Sequence, residues 1–108
     1  MSRFLTKLES PHDIIDASHA GTAISISAGI AIDSLKKNNF YTIAIVGDGT
    51  MVEGMNFEGL NFASEKTKNL IIILNDNEMA IDKSVGGFKY LTTGPGWKNK
   101  SKNYFNGM

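Results

Sequence analysis

Two short aliphatic runs, Ile43 to Val46 and Leu70 to Leu74, stand out in a chain whose other apolar residues recur at helical intervals. Between Ala20 and Lys37 the pattern AGTAISISAGIAIDSLKK places Ile24, Ala28, Ala31 and Leu35 on one face. A second apolar line runs through Ile26, Ile30 and Ile32, so the spacing predicts a helix buried on much of its circumference. YTIAIV from Tyr41 to Val46 is β-branched and closed by a glycine turn, the signature of a strand buried on both faces. Met51, Met55, Leu60 and Ala63 then recur at near-helical intervals through residue 66 and predict a helix of about three turns, each glycine weakening it by roughly 1 kcal/mol. KNLIIILN is the clearest strand signal in the chain.

The ends are less regular. Phe4, Leu5 and Leu8 predict a short helical turn that stops near Ser10-Pro11, because proline disfavours helix in the residue before it. After Ile81 the turn residues accumulate, and residues 82–108 are expected to form a loop-rich region with a short helix near Ser84 to Leu91. The order helix, strand, helix, strand, with the strands about 29 residues apart, fits a right-handed βαβ crossover in a parallel sheet. The fold class is therefore α/β. No internal repeat or low-complexity tract is evident.

Composition narrows the function classes. The 108 residues are 42% hydrophobic with eleven glycines and two prolines, which is globular rather than disordered. Eleven basic and eleven acidic side chains cancel, which argues against a nucleic-acid partner or an anionic membrane surface. No apolar run approaches the roughly 20 residues of a membrane span, and the polar N-terminus is unlike a secretory signal. Without cysteine there is neither disulfide nor thiolate metal site. A cytoplasmic location is expected, or a plastid in a plastid-bearing source.

In open α/β sheets ligands sit beyond the carboxyl ends of the strands, and two short stretches lie at those ends: VGDGTM at 46–51 and LNDNEM at 74–79. Mg²⁺ takes hard oxygen ligands, commonly one or two protein carboxylates with the rest from bound phosphates and water. Asp48, held between Gly47 and Gly49, is the candidate carboxylate, because the glycines let the backbone approach a phosphate closely. The amides of Gly49 and Thr50, opening a helical turn, can meet that phosphate. Asn75, Asp76 and Asn77 offer oxygens from the adjacent strand end. Either stretch alone is an ordinary turn; their placement at two neighbouring strand ends is what makes a site.

Glycine-aspartate-glycine with an asparagine after an aliphatic strand, here 29 residues on from Asp48 to Asn77, resembles the thiamine-diphosphate motif of the transketolase superfamily. HAGTAISISAGIAI, VGDGTMVEGMNFEGLN and LIIILNDNEMAIDKSVGG together resemble the 1-deoxy-D-xylulose-5-phosphate synthase family, from about Ser10 to the end of the chain. The resemblance implies an incomplete thiamine-diphosphate-binding fold, residues 1–108 being its diphosphate and metal side. It also implies Mg²⁺, with Asp48, Asn77 and the main-chain carbonyl of Met79 as ligands. Gly49, Thr50 and Asn77 would touch the diphosphate, and Ser18, His19 and Ala20 would close over the cofactor. No catalytic residue is assigned, His19 being the one candidate. In the complete enzyme the resemblance implies condensation of pyruvate with glyceraldehyde 3-phosphate, loss of CO2, and a homodimer.

Two departures qualify this. Family members usually read glycine-histidine-serine-serine-threonine-serine where SHAGTA stands at 18–23, so three hydroxyls are missing. A hydrogen bond to a charged group contributes about 1.5 to 3 kcal/mol, and cofactor affinity should fall accordingly. The family's glutamate that acts on the aminopyrimidine ring, and its substrate-binding residues, have no counterpart here, so the chain is expected to be an internal slice or truncated form with no turnover alone. The alternative is a non-catalytic remnant or association module that binds no cofactor.

Other residues carry less. His12 beside Pro11 reads as surface. Glu53 and Glu58 are five apart and so not on one helical face. The methionines at 51, 55 and 79 read as core filler, and Trp97 among three lysines as a loop beside the site. A generic nucleotide-phosphate domain would need a glycine-rich fingerprint or a Walker lysine, and neither is present.

Overall fold

A computed structural model describes residues 4–37, 40–76 and 86, and the architecture is α/β as the hydrophobic pattern predicts. Helix α1 runs Ala23–Lys37, strand β1 Thr42–Gly47, helix α2 Gly54–Lys66 and strand β2 Leu70–Asn75, with a 3-10 turn at Asp48–Thr50. The strands pair in parallel from Thr42 opposite Leu70 to Gly47 opposite Asn75. The expected loop-rich region at 82–108, with its helix near Ser84 to Leu91, lies outside the described residues apart from Gly86.

One face of the sheet is covered. Ala44 and Val46 point into it with Ile72 and Leu74, and Ile24, Val46 and Met51 form its buried centre with Ala23 and Leu60 packed against them. Ile24, Ala28, Ala31 and Ser34 are the buried line of α1, the last three small enough to let the helix backbone approach the strands. Leu35, expected on that line, is exposed, and Ser34 takes its place. The Ser34 hydroxyl donates to the Phe40 carbonyl at 2.9 Å and accepts from the Phe40 amide at 3.1 Å. Asn69 Nδ2 donates to the carbonyls of Phe40 (2.8 Å) and Ala31 (3.1 Å), so the amino end of the sheet is tied to the end of α1.

Among the described residues nothing covers the opposite face, contrary to the expectation of strands buried on both sides. Ile43 and Ile45 are 56% and 66% exposed, and their ladder partners Ile71 and Ile73 are 43% and 45% exposed. A run of aliphatics reports only that both faces are apolar; what covers each is decided by residues elsewhere.

Three further expectations are corrected. α1 begins at Ala23 rather than Ala20 because Gly21 takes a left-handed φ of 79° and the first helical bond runs from the Ile26 amide to the Thr22 carbonyl. Met51 and Met55 do not share a helical face. A turn at 51–53 separates them, so Met51 plugs the core while Met55 is exposed on α2, whose buried line is Asn56, Gly59 and Ala63. The N-terminal helical turn does not form: Leu5 makes an antiparallel bridge with Ala17, and Leu8 is almost fully exposed.

α2 packs along α1, and Gly59 is the closest point. A Cβ built there would lie 2.8 Å from Ser25 Oγ and 3.2 Å from Ile24 Cγ2. Gly21 faces Glu53 and Asn56 while Ser25 faces Gly59, so the two helices run in the same direction.

Candidate functional site

The first turn stretch and the described part of the second, 74–76, lie side by side at the carboxyl end of the sheet. Gly47 and Asn75 form the last ladder pair, which sets Asp48 and Asp76 one residue beyond the sheet on adjacent strands. The register thus brings together what the sequence separates.

The first stretch is held by its own hydrogen bonds. The Thr50 hydroxyl donates to the Gly47 carbonyl at 2.9 Å, the Met51 amide to the Asp48 carbonyl at 3.2 Å, and the Glu53 amide to the Thr50 carbonyl at 3.1 Å. Met51, buried against Ile24 and Val46, pins this loop to the core. Asp48, Gly49 and Thr50 are half-buried. Because the Thr50 hydroxyl is committed within the loop, the groups left for an anion are the main-chain amides of the first two residues of the 3-10 turn, Asp48 and Gly49, which have no helical carbonyl behind them.

A second loop lies alongside. Ser18, His19 and Ala20 are exposed in the turn before α1, where the Thr22 hydroxyl donates to the His19 carbonyl at 3.3 Å. Gly21 closes that turn against α2: a Cβ at residue 21 would stand 2.9 Å from Glu53 Cβ. Neither α1 nor α2 has an acidic residue in its first turn, so the positive ends of both helix dipoles reach this region without compensation from within those turns.

The strand of chain leading to Ser18 is anchored too. Asp16 Oδ1 accepts from the Thr6 hydroxyl at 2.8 Å and the Lys7 amide at 3.0 Å, and the Ala17 amide donates to the Leu5 carbonyl at 3.1 Å. The Thr6 bond foremost, then the Lys7 amide, lowers the Asp16 carboxyl below its ordinary value of 3.8.

Of the sequence-derived candidates, Ser18, His19, Ala20, Asp48, Gly49 and Thr50 belong to these two loops. Asn77 and Met79 lie outside the described residues. Glu53 and Glu58 are both exposed, five residues apart. Among the described residues no three His, Cys, Asp or Glu side chains gather as a metal cluster. A single half-buried carboxylate at the start of a helical turn fits Mg²⁺ carried by a phosphate ligand, which needs few protein carboxylates.

Three residues escaped the sequence reading: Asn56, fully buried beneath the first loop, and the contact glycines Gly21 and Gly59. Asn56 had one legible signal, a polar residue three before Gly59 and seven before Ala63 on a helical line.

Comparison with known proteins agrees on one family. Residues 1–104 match the family model described as 1-deoxy-D-xylulose-5-phosphate synthase. A 1-deoxy-D-xylulose-5-phosphate synthase from Syntrophus aciditrophicus is 48% identical over 87 residues, 80% of this chain and 13% of that protein. The protein named 1-deoxy-D-xylulose-5-phosphate synthase 2 from Geobacter sulfurreducens is 47% identical over 88 residues, 80% of this chain and 14% of its own length. One from Thermomicrobium roseum is 46% identical over 94 residues, 85% of this chain and 15% of that protein. The aligned chain thus spans about one seventh of the length of these curated relatives.

Proposed function

The chain belongs to the 1-deoxy-D-xylulose-5-phosphate synthase family, and from that membership we propose that it supplies the Mg²⁺ and diphosphate side of a thiamine-diphosphate site. The observation that carries the proposal is the register that sets Gly47 opposite Asn75, so that Asp48 and Asp76 leave the sheet on neighbouring strands. In this reading Asp48 binds the metal together with Asn77 and the Met79 carbonyl. The amides of Gly49 and Thr50 and the amide side chain of Asn77 take the diphosphate, and Ser18, His19 and Ala20 close over it.

The cofactor, when bound, supplies the electron sink for decarboxylating a 2-oxo acid; the protein supplies placement and charge. The complete enzyme would condense pyruvate with glyceraldehyde 3-phosphate, releasing CO2, as a homodimer in the cytoplasm. The 108-residue chain would bind without turning over. Synthase activity from it, with no second chain added, contradicts this.

Calorimetric titration with Mg²⁺ and thiamine diphosphate tests the reading. Heat that disappears in Asp48→Ala supports it. No heat from the unaltered chain supports the second reading, a non-catalytic remnant. That reading is favoured by the Ser18–Ala23 turn, where Thr22, the hydroxyl nearest α1, is already bonded to His19.

A further inference from the structure

We infer that Asn56 is a positioning residue that joins the two loops of the proposed cofactor site, holding the Asp48–Thr50 turn and the His19–Gly21 turn in one arrangement. The inference deepens the cofactor reading and rests on it for its consequence in binding, though the coupling itself concerns only this chain's own residues.

Asn56 is fully buried on the first turn of α2. Its Nδ2 donates to the Thr50 carbonyl at 2.5 Å, and only the donor end of an amide can face a carbonyl, so its orientation is fixed. The same nitrogen lies 3.5 Å from where a Cβ on Gly21 would stand. The nitrogen that holds the Thr50 carbonyl therefore also stands behind Gly21, where that residue's missing side chain leaves it room.

The other end of the amide has a different status. Oδ1 is buried and finds no donor among the described residues. A buried acceptor without a partner is a net cost to folding, so stability alone does not account for an asparagine here. An apolar side chain would remove that cost, but would leave the Thr50 carbonyl with the Glu53 amide, at 3.1 Å, as its remaining donor and the loop held by one bond fewer.

Stability and loop order should therefore separate on substitution. In Asn56→Leu, which keeps the branching but enlarges the side chain, removal of the unpaired acceptor and overpacking oppose each other, and the melting temperature should change little. Amide hydrogen exchange in residues 49–53 and 18–22 should accelerate together, with β1, β2 and the middle of α1 unchanged. Affinity for thiamine diphosphate with Mg²⁺ should fall about tenfold, the equivalent of one lost hydrogen bond. Asn56→Asp keeps the shape but turns an acceptor toward the Thr50 carbonyl, and should give the same loop signature if Asn56→Leu does not fold.

Exchange that accelerates only in residues 49–53 would overturn the coupling, as would unchanged exchange in both loops or a uniform acceleration through the whole chain. Unchanged affinity in variants with loosened loops would overturn the consequence for binding. Should the unaltered chain bind no cofactor, or Asp48→Ala bind as well as it, the cofactor reading fails by itself and the exchange comparison still decides the role of Asn56.

Discussion

Gly47 and Asn75 stand opposite each other as the last pair of the parallel ladder, and each is followed by an aspartate. The two acids differ in what surrounds them. Asp48 opens a 3-10 turn, while Asp76 follows a strand and precedes Asn77. Asp48→Ala should abolish Mg²⁺-dependent binding of thiamine diphosphate, Asn77→Ala should weaken it, and Asp76→Asn should leave it intact. Titration calorimetry on the three variants checks the order.

Gly21 and Gly29 give opposite expectations for the same substitution. Gly21 has φ 79° and no room for a Cβ beside Glu53, so Gly21→Ala should destabilise the chain by about 1–3 kcal/mol, the strain of a left-handed backbone. Gly29 lies within α1 with nothing within 4 Å of its would-be Cβ, so Gly29→Ala should stabilise by roughly 0.5–1 kcal/mol through helix propensity. Urea denaturation of both variants measures the contrast.

At Gly59 the two effects compete. Alanine gains about 1 kcal/mol in helix propensity, but its Cβ would meet Ser25 Oγ at 2.8 Å and the Ser25 amide nitrogen at 3.2 Å. Overpacking of this kind costs typically 1–3 kcal/mol, and since the nitrogen is backbone the helix axes must separate. Net destabilisation is expected, with partial recovery in the double variant Gly59→Ala, Ser25→Ala, where the closest atom is gone. A double-mutant cycle reads the coupling.

The sequence made the element order, the parallel pairing and both strands legible, because uninterrupted aliphatics between glycine and asparagine turns admit few alternatives. It also located the Asp48 turn. It missed Asn56, Gly21 and Gly59 because their roles are defined across the contact between α1 and α2, and no local pattern encodes which residue of one helix faces a glycine of the other. It also overestimated the burial of the strands. Ile43 and Ile71 are as aliphatic as Ala44 and Ile72, and only the presence or absence of a covering layer separates them.

Asp16 makes the N-terminal segment sensitive to acid. Its carboxyl is held below the ordinary value by the Thr6 hydroxyl, then by the Lys7 amide. A carboxyl depressed in the folded state favours folding above its unfolded value and ceases to do so as pH falls through the folded one. The Leu5–Ala17 bridge should therefore loosen only below the ordinary aspartate value of 3.8. In Asp16→Asn the segment should be loose at every pH. Chemical shifts of the Ala17 amide across an acid titration report both.

The open sheet face should make the chain self-associate, since large apolar patches seek cover. Ile45, two-thirds exposed, is the place to interrupt it. Ile45→Lys should reduce the concentration dependence of light scattering, with a stability change within about 0.5 kcal/mol as expected of a surface site.

The parallel run of α1 and α2 has an electrostatic corollary. Helices laid side by side in the same sense set like poles together, and their macrodipoles repel along the seam that Gly59 makes so narrow. Glu53, at the N-cap of α2 and beside Gly21, puts a carboxylate between those two amino ends, so one side chain offsets the like poles of both helices.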